Sequence, residues 1–324
     1  MPFLLAEILN FQGSTHRIGV GSFSNLYNLF QISHLEGEIL ISLADLKRKI
    51  NSIKDETDYS ALDIRIAYST CMNRYMMILF MQDKIIDATK IFKEYVMYNN
   101  DIPASQYSYK YHSMMGEWLL DYARGISWQY PACAKKLYNI SIELLRNGKN
   151  KKRYLLAQMD LAFLQCVYFD KYDEINTIHS ITDTLKTDNY INEYFRGIIR
   201  EKLCRLVQYF KDPHIANSEG IITIAQKYKE EALTAELDSM LYINGRLAYQ
   251  TRMYFSVLAT IIKNFAEASE YLDQNLRVTS EAGASFKKII THNLKNLKQI
   301  EHIEWGTANG CYSTHTFILD PRIW

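Results

Sequence analysis

Asn264-Phe-Ala-Glu-Ala-Ser-Glu-Tyr-Leu-Asp273 decides the fold class. A polar residue opens it. An acid, Glu267, precedes a small residue, Ala268, and apolar Tyr271 and Leu272 follow three and four positions later. That spacing puts the small and apolar residues on one helical face. Two other stretches line up with it: Asp83-Lys-Ile-Ile-Asp-Ala-Thr-Lys-Ile-Phe92 and Asp170-Lys-Tyr-Asp-Glu-Ile-Asn-Thr-Ile-His179. Each reads as a polar turn leading into a helix that carries an acid near its positive dipole end.

Working outward, the helical period dominates. Ile85, Ala88, Ile91, Phe92, Tyr95 and Val96 mark one face of a helix, and Leu155, Met159, Ala162, Leu164 and Val167 mark another. Pro103, Pro131 and Pro213 stand where periodic segments begin, the place a helix tolerates proline. Asn100, Gly125, Gly148 and Gly283 stand near segment ends. Small or apolar markers at Ala88, Ala134, Ile175, Gly220 and Ala268 are separated by 46, 41, 45 and 48 residues. The spacing predicts helical hairpins at about 60–100, 104–148, 151–188, 190–229 and 232–282, closed by a helix at about 284–303.

The run Phe265-x-Glu267-Ala268-x-x-Tyr271-Leu272-x-x-x-Leu276 resembles the second helix of a tetratricopeptide repeat, although the interval exceeds the roughly 34 residues of that family. The resemblance implies an all-α fold, a right-handed superhelix of antiparallel helical hairpins. In it Ala88 and Ala268 are the small seam residues and Tyr271 fills the seam to a neighbour. The sequence itself reads in three parts: an N-terminal helical cap over 1–57, repeats over 58–303, and a non-helical tail over 304–324. Repeat stacks leave an apolar face open at each end. Trp305, Phe317 and Trp324 are the tail residues expected to dock on the repeats or on a partner.

The composition excludes several classes. Net charge is +1 with 23% charged residues, giving no electrostatic case for nucleic acid and none for disorder. No apolar stretch approaches a membrane span, and Met1-Pro2-Phe3-Leu4 lacks the basic start of a signal peptide. The five cysteines lack any Cys-x-x-Cys pair, and Cys71, Cys133, Cys166 and Cys204 lie in apolar helical patterns, which suits a reducing cytoplasm. Nothing has metal-ligand or phosphate-loop spacing, so no metal and no cofactor is expected. Cys311 with His315 is the sole nucleophile-like pair, and an extended backbone would hold the two roughly 13 Å apart.

Candidate binding residues come from the first helices of the hairpins, which in the resembled family line the concave groove. Arg196 and Arg200 stand one turn apart with Arg205 nearby. They read either as a bidentate clamp for an acidic group or as a solvated face balanced by Glu193 and Glu201. Lys110 and Arg153 join them as further groove cations. The expected function is non-catalytic: a scaffold or sensor that holds a protein or peptide partner in a bacterial regulatory or defence assembly. A peptide-responsive regulator is the alternative, and an enzyme using the Cys311/His315 segment is the remote one.

Overall fold

The computed structural model describes residues 32–52, 59–100 and 109–279, except 128, 147, 149, 212–219 and 243–245, together with residue 291. Among these residues 90% are helical and none is in a strand. The helices are α1 (Ile32–Ser52), α2 (Tyr59–Met81), α3 (Ile85–Asn100), α4 (Tyr109–Ile126), α5 (Pro131–Arg146) and α6 (Lys151–Phe169). They continue with α7 (Glu174–Thr187), α8 (Ile191–Lys211), α9 (Ile221–Thr234), a 3-10 turn (Leu237–Tyr242), α10 (Arg246–Ile261) and α11 (Phe265–Thr279). The expected closing helix at 284–303 and the whole tail, with Trp305, Cys311, His315, Phe317 and Trp324, lie outside the described residues, as does most of the N-terminal cap.

Local chemistry sets the ends. Helix α5 starts on Pro131, where the missing N–H breaks no bond. Asn150 caps α6 by accepting from the Arg153 amide at 3.2 Å, and Asp170 ends it in the left-handed conformation at φ 55°. One turn recurs: the amides of Lys84, Tyr190 and Asn264 each reach back five residues, to the carbonyls of Leu79, Leu185 and Ala259, at 2.8 Å. The preceding residue, Asp83, Asn189 or Lys263, has positive φ each time. Asp83 therefore corresponds to Lys263, not to Asn264, and this shift of one residue brings Ala88 into register with Ala268. Gly220 is likewise displaced from its expected role. It sits exposed before α9, and the buried small residue of that helix is Ala225.

Packing follows chain order with one addition. Neighbouring helices pack in pairs, and α2, α4, α6, α8 and α10 also touch in succession, each against the next even-numbered helix. Two apolar clusters result, one spanning α1 to α6 and the other drawn mainly from α6 to α11. Helix α6 walls both, with Ala157 and Leu164 in the first and Leu156, Met159 and Phe163 in the second, which is why its apolar residues run nearly all round. At the α3–α4 seam, Tyr95 stacks on Trp118 at 3.6 Å between ring centroids and Phe92 on Tyr122 at 3.8 Å.

Close approach needs glycine at three points. A Cβ on Gly125 would fall 2.4 Å from the Phe80 ring, one on Gly197 2.2 Å from Thr182 Oγ1, and one on Gly116 2.8 Å from Leu145 Cγ. Each missing side chain lets a first helix of a hairpin sit against its neighbour.

Candidate functional site

A line of buried polar groups threads the row of even-numbered helices. Asn73 of α2 donates to Asp121 Oδ2 of α4 at 3.1 Å. Asp121 Oδ1 also faces Arg124 Nη1 at 3.5 Å and Arg153 Nη1 of α6 at 3.4 Å. Arg124 Nε donates to Asp160 Oδ2 of α6 at 2.5 Å, and Arg200 Nη1 of α8 meets the other oxygen of the same carboxylate, again at 2.5 Å. From α8, Arg196 Nε donates to Gln250 Oε1 of α10 at 3.2 Å. All five even-numbered helices thus carry members of the network. Its centre is Asp160, 4% exposed and held between two guanidiniums from two different helices.

Electrostatics fix the ionisation of this centre. Burial on its own pushes the Asp160 carboxyl up, but Arg124 and Arg200 outweigh it and hold the group down at about 2. Burial opposes ionisation of Asp121 in the same way, and Arg153 and Arg124 reverse it to a value below the usual carboxylate range. Arg200 also lies over the Phe163 ring, 5.5 Å from its centroid. Tyr138 is buried beside Asp160 and its hydroxyl is pushed far up, by burial and then by that carboxylate. Asp160 and Asp121 are therefore both ionised at neutral pH, each held between arginines.

The sequence candidates are distributed unevenly over this array. Arg196 and Arg200 are 2% and 3% exposed, so the i, i+4 pair forms neither an open clamp nor a solvated face. The reason is position: α8 lies inside the row, packed by α6, α7, α9 and α10, and the arginines are used in bonds between helices. Glu193, expected to balance them, is buried on Lys152 Nζ at 2.8 Å. Arg205 is half-buried and gives both Nε and Nη2 to Glu201 Oε1, at 3.2 and 3.1 Å. Arg153 spans Asp121 and Glu117, the latter at 3.7 Å. Lys110 belongs to α4, but its side chain lies outside the described residues. Ala88 and Ala268 are fully buried, and Tyr271 packs its ring 5.7 Å from Phe255 while donating to Glu267 at 3.0 Å.

Sequence reasoning missed Asp121, Arg124 and Asp160. One signal was available for the last: Asp160 is a lone acid in the middle of the apolar run 155–167, where an unpaired charge would be costly. His179, a histidine of the second aligned stretch, is exposed and meets Glu201 Oε2 at 3.0 Å. Among the described residues no group of three or more His, Cys, Asp or Glu could hold a metal ion. No described helix is long and apolar enough to cross a membrane. No family model matches this sequence, and neither does a curated protein or a solved structure.

Proposed function

We propose that the chain is a non-catalytic scaffold or sensor, a right-handed superhelix of tetratricopeptide-like hairpins that holds a protein or peptide partner in a regulatory or defence assembly. The observation that carries this reading is the succession of contacts between alternate helices, α2 to α10, beside the pairing of chain neighbours. Hairpins stacked in register give that pattern, since each hairpin's first helix then meets the first helix of the next. The buried charge network supports it too. Its bonds join one first helix to the next and so favour one mutual register of the hairpins. In this reading Arg153 and Arg205, which keep part of their guanidiniums in solvent, present the positive groups that a partner's acidic residues would meet.

Two measurements test the reading together. A compact globule of 324 residues has a radius of gyration of about 20 Å. Small-angle scattering should give a clearly larger value if the hairpins coil into an open superhelix, and a value of about 20 Å would refute that shape. For the partner, the double variant Arg153→Ala, Arg205→Ala should lose a captured protein that the parent retains, in an assay run well below its melting temperature, which the loss of Arg153 from Asp121 lowers. Equal retention by both would remove these arginines from the interface.

A further inference from the structure

Arg252 differs from Arg124 and Arg200, the buried arginines that share the Asp160 carboxylate. It is 3% exposed on α10. Its Nε donates to Asn275 Oδ1 of α11 at 2.5 Å, and its Nη1 donates to the carbonyl of Leu241 in the 3-10 turn. Its Nη2 is buried and has no hydrogen-bond partner. Arg124, Arg153 and Arg200 each face at least one carboxylate, whereas none among the described residues pairs with Arg252. The neutral groups around it do not compensate the charge, and burial draws its pKa below the usual arginine value.

An isolated buried cation is costly to a fold, and a guanidinium cannot escape the cost by losing its proton. The surroundings also hold the fork in place. Asn275, itself fully buried, gives its amide to the Tyr249 carbonyl at 3.1 Å, so its oxygen is turned toward Arg252. Over the other edge lies the turn Leu237–Tyr242. Only Leu237 and Leu241 of that turn are buried, while Asp238, Ser239 and Tyr242 are exposed. A 3-10 segment has weaker internal hydrogen bonds than an α-helix, so this turn is held down mainly by Leu237 and Leu241.

We infer that Arg252 is the anchor of an anion site: the oxyanion of a small ligand, a carboxylate or a phosphate group, takes the guanidinium edge that the 3-10 turn covers. When the turn lifts, Leu241 releases Nη1, and Nη1 with Nη2 forms the two-donor edge that such a group accepts bidentately. The ligand supplies the negative charge that the described residues do not provide. Asn275 keeps the fork oriented throughout, so binding costs little side-chain order.

The test is thermal melting of the full chain at constant ionic strength in chloride, inorganic phosphate or acetate. A ligand bound only by the folded state raises the melting temperature with its concentration. The expected result is a rise in phosphate, acetate or both, and the better of the two identifies the ligand class. Arg252→Met should lose that rise while melting no lower than the parent in chloride, because it removes an uncompensated buried charge. Should Arg252→Met fail to fold, Arg252→Lys keeps the charge and loses the fork; it should need at least about tenfold more anion for the same shift. Identical melting of the parent in all three salts overturns the site. So does an anion response that survives unchanged in either variant, which would leave Arg252 as a structural tie between the turn and α11.

Discussion

Removing the carboxylate at the centre of the network is the most direct challenge to its description. Asp160→Asn keeps the size of the side chain and one acceptor oxygen, but it deprives Arg124 and Arg200 of their shared counter-charge. The magnitude can be approached in two ways. The carboxyl is held from its ordinary 3.8 down to about 2, and at 1.36 kcal/mol per unit the ionised form contributes about 2–3 kcal/mol. Breaking a buried pair by removing one partner costs about 3–5 kcal/mol, because an uncompensated charge remains behind. Urea unfolding at pH 7, followed by far-ultraviolet circular dichroism, should therefore place Asp160→Asn about 2–5 kcal/mol below the parent with an unchanged slope. The pH dependence carries the sign. The folded-state pKa is depressed, so the contribution is complete above the unfolded value, near 4, and drains away as pH falls through about 2. The gap between parent and variant should close over that window. A gap under about 1 kcal/mol at pH 7, or one that stays constant down to pH 2, would refute the account of Asp160 as a charge held by two arginines.

Two further substitution sets probe the packing. Ala268→Phe and Ala88→Phe insert a ring where both residues are fully buried, and each should cost about 1–3 kcal/mol in urea unfolding; an unchanged midpoint would show that the seam has room. Gly125→Ala and Gly197→Ala put a methyl group 2.4 Å and 2.2 Å from existing atoms and should both destabilise. Gly37→Ala in α1, with nothing within 4 Å of the new carbon, should instead stabilise by about 0.5–1 kcal/mol; the same sign at all three positions would contradict the close helix approaches.

The helices were legible because their signals are local. A proline at a helix start, an apolar residue every three or four positions, and a polar turn before an acid act within one or two turns of backbone, so Pro131 and the 85–96 stripe reveal themselves without knowledge of any neighbour. Register across a turn is less secure, as the offset between Asn264 and Lys263 shows, because a non-glycine left-handed residue has no strong composition signal. The charge network was illegible for a different reason. The spacing of Arg196 and Arg200 is the same whether that face of α8 meets water or the helices α6 and α10, and only the stacking of one hairpin on the next decides which. Asp160 and its two arginines are separated by 36 and 40 residues, so no local window contains the pair. A lone charge inside an apolar helix is thus the sequence-level trace of a contact between hairpins. Asp160 in the run 155–167 is such a trace; Arg252 in the run 247–259 is a second lone charge, bonded within its own hairpin. The first meets its counter-charges inside the chain. The second meets, among the described residues, an amide oxygen and a backbone carbonyl. The contrast with Arg124 and Arg200, which share a carboxylate, is what the proposed anion site at Arg252 rests on.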